Sequence, residues 1–477
     1  MDRELYIDGE WRPAQDGWRI AVTEPATGAE IGTTAVASPA DLDVAVAAAR
    51  ASAWPALSAE ERGAVLRRAA DLIDRDIDEI ALLLTREQGK TISDSRKEIA
   101  FAAEVFRYYA DEGLRIGGSL RHSVRADVKS IVSYEPIGVV AAIVPWNYPV
   151  DLYAWKVAPA LAAGCPVIAK PPHDAPLAIA RVVAALAEAG APAGALADLP
   201  GKGELGAAMV SHPGIDAITA TVSTATGRQI AAAAAPTLKR VNLELGGQSP
   251  LVVLDDADIA EAAAAAVRRS FSNMGQICIA VNRVLVADAR REEFRDAASE
   301  LTRALKIGDP TRDGVDYGPV FDDAVMTKTR GHIDQAIKAG ARLVTGGQAL
   351  DDGPLFIAPA LLDEVPVTAQ IMNEETFGPA LAIAGARSDA ELLALANALP
   401  YGLAAYVYSA DLERAWAFAD HVQAGGVGIN VNDVSELQAP FGGWKLSGGG
   451  RDLGPEGLHA FLQTRHIRAR VRPIPRT

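Results

Sequence analysis

Residues 138–172 read GVVAAIVPWNYPVDLYAWKVAPALAAGCPVIAKPP, an apolar run, a proline-flanked turn, a long helical stretch and a second apolar run ending on a lysine. A short β-branched run, a helix of three to four turns and another β-branched run form the βαβ unit of a parallel sheet. The alternation continues to residue 254. Strands are expected at 139–144, 167–170, 195–199, 217–222 and 240–245, with helices at 152–163, 175–189, 204–211 and 223–233. This is a doubly wound α/β pattern of Rossmann type, whose ligands sit beyond the carboxyl ends of the strands.

Outward from this block the pattern is more varied. The first forty residues hold short strand-like runs, 5–7 and 19–22, broken by glycine and proline. Residues 39–113 turn helical, with Asp41 expected to open one helix and Ser58 a second at the capping signature Ser58-Ala59-Glu60-Glu61. Residues 121–134 alternate loosely like a β-ribbon. A second α/β region spans 250–448, with helical runs at 258–271 and 323–339 and strand-like runs at 283–287 and 403–408. The tail, 461–477, carries five arginines after an expected strand, read as a solvated or subunit-contacting end.

The 477 residues are 49% hydrophobic and 22% charged, which excludes a disordered or collagen-like chain. Forty-six basic against 61 acidic residues leave a net charge of −15, opposed to phosphate backbones and anionic lipid, so no nucleic-acid partner is expected. No apolar stretch approaches the ~20 residues of a membrane span. Charged residues stand where a secretory leader would place its apolar run, and a cytoplasmic protein is expected. Cys165 and Cys278 allow at most one bridge or one reactive thiol.

Several positions could carry chemistry. Cys278 follows the helical run 258–271 in a loop where Gly275 permits a turn into a cleft; the thiol is a candidate nucleophile, although free cysteine is more often buried and structural. Cys165, between Gly164 and Pro166, receives that second assignment. Glu244 ends an apolar strand before Gly246-Gly247, and burial there would raise its pKa toward general-base range; a solvent-facing glutamate is the alternative. Asn147 lies between two prolines at a strand end, where its amide could serve an oxyanion or simply fill a turn. Lys170 ends the next strand and faces the sheet's ligand or solvent. Gly227 stands where a phosphate turn would use a glycine.

Together these positions resemble the aldehyde dehydrogenase family over nearly the whole chain. Six blocks carry the resemblance: Pro145-Trp146-Asn147-Tyr148-Pro149, Lys170-Pro171, Leu243-Glu244-Leu245-Gly246-Gly247, Gly275-Gln276-Ile277-Cys278, Glu374-Glu375-Thr376-Phe377-Gly378-Pro379 and residues 440–448, PFGGWKLSG. Thirty-four residues separate Glu244 from Cys278, as in the family.

The resemblance implies a Rossmann-type cofactor domain (1–119 and 137–246), an α/β catalytic domain (247–448), and an oligomerisation arm and tail (120–136 and 449–477) that would build a homodimer or homotetramer. It implies that Cys278 attacks an aldehyde, Asn147 and the Cys278 N–H hold the oxyanion, a hydride passes to NAD or NADP, and Glu244 activates the water that releases the acid. Cofactor contacts are implied for Trp146, Lys170, His173, Ser223, Gly246, Glu375 and Phe377, and no metal is implied. The substrate pocket would include Tyr148, Asp151, Leu152, Trp155, Ser272, Ile277, Ile279, Asp433, Ser435 and Phe441.

Three departures from the family shape further expectations. His173 replaces the acidic residue that often follows the lysine by three positions, favouring tolerance of NADP. Val222 replaces a glycine of the phosphate turn. Trp155 replaces the arginine that semialdehyde-oxidising members carry next to the equivalent of Lys156; with Asp151 nearby, a neutral or cationic aldehyde is expected over an anionic semialdehyde such as succinic semialdehyde. A thiol esterase without redox chemistry would need only Cys278, Asn147 and Glu244. A non-catalytic descendant would lack thiol or base, and a CoA-acylating relative would have no use for Glu244.

Overall fold

The computed structural model describes residues 2–471. Five parallel strands, Val140–Ile143, Val167–Lys170, Leu196–Asp198, Ala217–Val222 and Arg240–Leu245, form the middle of an eight-stranded sheet. Numbered along the chain, their order across the sheet is 5-4-1-2-3, so the winding reverses between Val140–Ile143 and Ala217–Val222. Beyond the carboxyl ends of those two strands the chain parts in opposite directions and leaves a crevice. Leu5–Ile7 and Glu10–Arg12 extend one edge, and Gly448–Gly449 pairs antiparallel with Arg240–Leu245 on the other.

A seven-stranded sheet follows, in the order Arg342–Thr345, Ala360–Asp363, Ala380–Ala386, Val281–Ala287, Ser249–Val253, Ala404–Tyr408 and Gly426–Ile429. All its pairings are parallel except that of Arg342–Thr345. Strands buried on both faces need continuous apolar runs, and Ser249–Val253 and Ala404–Tyr408 are buried throughout. A third, three-stranded sheet joins Ser119–Arg121, Val128–Pro136 and Leu462–Arg470. Among the described residues no helix is long and apolar enough to cross a membrane.

Several expected boundaries move, each for a local reason. Asp41 does not open its helix: Ser38 caps it and Pro39 takes the first turn, where no N–H is needed, while the Asp41 carboxylate reaches back to the Ser38 N–H at 2.9 Å. Ser58 and Glu61 make the expected capping box. Proline also starts the helix expected at 152–163 early, at Pro149. The 121–134 ribbon divides into the two strands named above, with residues 122–127 between them. The tail's first three arginines, Arg465, Arg468 and Arg470, lie within Leu462–Arg470 rather than after it, because that strand runs in register along Val128–Pro136; Arg472 and Arg476 fall outside the described residues.

Candidate active site

The loop that carries Cys278 leaves the Ile259–Phe271 helix through three successive left-handed residues, Asn273 (φ 46°), Met274 (φ 56°) and Gly275 (φ 76°). Such a backbone is costly for side-chain-bearing residues and persists only where the surroundings hold it. The holding contacts are the Gln276 side chain, which donates to the Asn273 carbonyl at 3.0 Å and accepts from the Phe321 N–H at 2.8 Å, and Asn273, which donates to the Asn147 carbonyl at 2.8 Å. At Gly275 a Cβ would lie 2.4 Å from the Gly378 carbonyl. This places Cys278 against the crevice of the first sheet, and Asn147, whose amide donates to the Gln276 carbonyl at 2.9 Å, beside it.

Two cavities, of about 340 and about 300 Å³, share Asn147 and Cys278 in their walls. The first lies at the topological switch point and is lined by Trp146, Ser223, Glu244, Gly246, Glu375 and Phe377. Ser223 caps the Thr224–Ala234 helix by accepting from the Thr226 N–H, so the positive end of that helix opens into the crevice. Trp146 stacks on Phe321, with centroids 4.2 Å apart and planes 9° off parallel, and meets the edge of Phe377 at 5.5 Å. The Gly247 N–H donates to Glu375 at 3.1 Å, and a Cβ on Gly246 would stand 2.7 Å from the same carboxylate. A flat aromatic wall, a helix N-terminus, a carboxylate and a glycine cradle suit the ring, phosphate and ribose of a nicotinamide dinucleotide.

Lys170 and His173 are not in the walls of this cavity. Lys170 is buried at the end of the adjacent strand, and desolvation pulls its pKa down to about 8, partly opposed by Asp174. His173 pairs with Asp174 at 2.6 Å, so a carboxylate stands one position beyond the one the family often fills. Gly227 lies inside the Thr224–Ala234 helix, where a Cβ would meet Leu245 at 2.4 Å; it allows close helix–strand packing and forms no phosphate turn. Val222 ends its strand and lines the cavity.

Glu244 is buried, with neither carboxylate oxygen hydrogen-bonded by distance and angle. Burial raises its pKa to about 7; Lys156 opposes the rise, Asp452 adds to it, and the neighbouring Cys278 thiol and Thr221 hydroxyl oppose it slightly. Lys156 and Asp452 form a buried pair at 3.0 Å, steadied by Asn242, which donates to Asp452 at 3.0 Å. Burial and the facing Glu244 charge push the Cys278 thiol well above its ordinary pKa. The Cys278 thiol and the Glu244 carboxyl are therefore neighbours, each pushed by burial toward its protonated form. Cys165, by contrast, is fully buried away from both cavities.

The second cavity is lined by Tyr148, Asp151, Leu152, Trp155, Ser272, Ile277, Ile279, Asp433, Ser435 and Phe441, all named from the sequence, and by residues it did not suggest: Asp94, Lys97, Glu98, Phe101, Arg268 and Arg269. Lys97 pairs with Asp94 at 2.9 Å and Arg269 with Asp433 at 2.5 Å. Arg268 makes no side-chain ion pair or hydrogen bond among the described residues. The available signal was two adjacent arginines in the last turn of the helix before the thiol loop. Lys328, which lines the first cavity, was also missed.

Comparison with known proteins agrees with this geometry. The Aldehyde dehydrogenase family model matches residues 11–467. The chain is 38% identical over 468 residues to glutarate-semialdehyde dehydrogenase of Pseudomonas putida and to the NADP(+) succinate-semialdehyde dehydrogenase GabD of Escherichia coli, covering 98% of this chain and 97% of each relative. A crystal structure of succinate-semialdehyde dehydrogenase from Burkholderia pseudomallei superposes with a TM-score of 0.97 at 38% identity, covering 98% of both chains. Fold, paired cavities and full-length similarity lead to one conclusion: the chain belongs to the aldehyde dehydrogenase family and is an NAD(P)-dependent aldehyde-oxidising enzyme.

Proposed function

We propose that Cys278 is the nucleophile, Glu244 the base and Asn147 an oxyanion donor, and that the substrate is an aldehyde bearing an acid group. The observation that carries the assignment is that Cys278 and Asn147 stand in the shared wall of the two cavities, with Glu244 at the thiol. Glu244, at about pH 7 divided between its two forms, accepts the thiol proton. The sulfur bonds to the carbonyl carbon, and the oxyanion so formed lies beside the Asn147 amide and the Cys278 N–H. When bound, the dinucleotide supplies the hydride acceptor. Glu244 gives the thiol's proton up to solvent, then takes a proton from the water that attacks the thioester carbon; the C–S bond breaks, the carboxylic acid leaves and the departing sulfur is reprotonated to the thiol. The chain's residues exchange only protons and one covalent bond.

The expectation of a neutral or cationic aldehyde rested on Trp155 and on a negative Asp151. In the folded chain, burial and the Glu98 charge push Asp151 strongly toward its neutral form, and Arg268 is the cation of this cavity without a partner. An acid tail at Arg268 accords with the semialdehyde names of the two relatives. Both NAD and NADP are proposed as cofactors, with Lys170 and His173 nearest the group that distinguishes them. The three-stranded sheet that includes Leu462–Arg470 is proposed to join subunits into a homodimer or homotetramer.

The test is steady-state cofactor reduction with succinic and glutaric semialdehydes, benzaldehyde and an aminoaldehyde. The semialdehydes should give the highest kcat/KM, and Arg268→Ala should lower that advantage about tenfold or more. Clear preference for benzaldehyde or the aminoaldehyde would return the assignment to the reading based on Trp155. Ester hydrolysis without cofactor reduction would support the esterase instead.

A further inference from the structure

We propose that the buried ion pair of Lys90 and Glu98 positions the oxyanion donor, holding Asn147 so that its side-chain amide meets the oxygen of the substrate. The proposal rests on the reading of Asn147 as that donor. Lys90 lies in the short connection between the helices Ile77–Gln88 and Ile92–Glu112, and Glu98 lies on the second of them. Both side chains are fully enclosed. Lys90 lines neither cavity, so it stands behind the wall, away from aldehyde and dinucleotide.

Besides the bond between them, the side-chain hydrogen bonds of the pair converge on the turn that carries Asn147. Lys90 Nζ donates to the Asn147 carbonyl at 2.8 Å and stands 3.7 Å from the centre of the Tyr148 ring. Across the same turn, the Glu98 carboxylate accepts from the Val150 N–H at 2.9 Å and the Asp151 N–H at 3.3 Å. These belong to the first turn of the Pro149–Ala163 helix, whose N-cap residue Tyr148 supplies no capping bond, so Glu98 caps it from another helix. Asn147 is thereby fixed at both ends. Its carbonyl accepts from Lys90 and Asn273, and its amide donates to the Gln276 carbonyl at 2.9 Å, which engages one amide hydrogen and leaves the other for a ligand. Stability alone does not call for an ion pair here, because apolar side chains of similar volume often serve a buried site as well or better. They would fill the space but leave the Asn147 carbonyl to Asn273. A donor misplaced by about 1 Å can lose about a hundredfold in rate.

A double-mutant cycle in steady state separates positioning from support of the fold. Lys90→Met keeps an apolar stem and removes the donor; it should lower kcat about tenfold or more with little change in KM for aldehyde or cofactor. Asn147→Ala keeps the main-chain carbonyl that Lys90 holds but has no amide to position. Adding Lys90→Met to it should therefore change kcat less than about twofold. Alkylation of Cys278 by iodoacetamide forms no oxyanion, and its rate in Lys90→Met should match the wild type. If Lys90→Met does not fold, the double variant Lys90→Met/Glu98→Gln takes its place in the cycle, removing both charges while an amide oxygen still serves the Val150 N–H.

An unchanged kcat in Lys90→Met, equal losses with and without the Asn147 amide, or an altered alkylation rate overturns the proposal and leaves the pair a support of the fold only. Equal losses beside a large Asn147→Ala effect leave the oxyanion reading intact. An Asn147→Ala enzyme with the kcat of the wild type overturns both that reading and this proposal.

Discussion

Glu244 is the group through which pH should control turnover. Burial moves its pKa from 4.5 to about 7, a penalty on the carboxylate of about 3 kcal/mol. The active form is the ionised one, so the rate must rise with pH. About a tenth of the enzyme carries the carboxylate at pH 6 and about nine-tenths at pH 8, which predicts a near-tenfold rise in kcat over that interval if water attack limits turnover. The midpoint is set partly by a pair distant in sequence. Asp452 raises the Glu244 pKa and Lys156 lowers it, so Asp452→Asn should move the midpoint below 7 and Lys156→Met should move it above. Glu244→Gln removes the base altogether and should cost water attack about a hundred- to ten-thousandfold. Stopped-flow absorbance of the reduced nicotinamide distinguishes the steps: Glu244→Gln should form at most one equivalent of reduced cofactor per site, more slowly than the wild type because the thiol has lost its base, and then almost none, and Cys278→Ala should show no such phase. A kcat flat between about pH 6 and 8, or shifts of the same sign in the two pair variants, would refute the reasoning.

Removing the Asn147 amide, as in Asn147→Ala, should lower kcat about a hundred- to a thousandfold with a much smaller change in KM, measured in steady state. Lys170 is charged below its pKa of about 8, so kcat/KM for NADP should fall as pH rises through that value while that for NAD falls less; His173→Asp should lower the NADP to NAD ratio further. Gly448 adopts φ 119°, and a Cβ there would stand 2.1 Å from the Leu243 carbonyl, next to Glu244. Gly448→Ala should therefore cost about 2 kcal/mol or more in denaturant unfolding and reduce kcat as well; a variant of wild-type stability and activity would contradict the strand pairing at that edge.

Much of the molecule is legible along the chain, because its information is local. The β-branched runs at 167–170 and 217–222 become strands with those bounds, since period and length suffice to separate a buried parallel strand from a helix. The capping box at Ser58 and the six motif blocks are likewise contiguous, and they sufficed to recognise the family. Short-range reading failed where another element competed. Ser38 and Pro39 took the helix start from Asp41, and the Val128–Pro136 strand drew the arginines of the tail into pairing.

What tertiary structure alone decided is electrostatic. Glu244 owes its raised pKa first to burial, opposed by Lys156 and aided by Asp452, which lie on either side of it in sequence and are paired in the fold. Asp151 is a plain acidic residue in the sequence, and burial together with the charge of Glu98, 53 positions earlier, pushes it toward its neutral form. The neighbouring arginines 268 and 269 are equivalent in the chain, yet Arg269 is paired with Asp433 while the exposed Arg268 has no side-chain partner among the described residues. Composition and spacing specify which groups exist. Their charge states and free valences depend on burial and on distances between remote segments, because desolvation and Coulomb energies are properties of position in space.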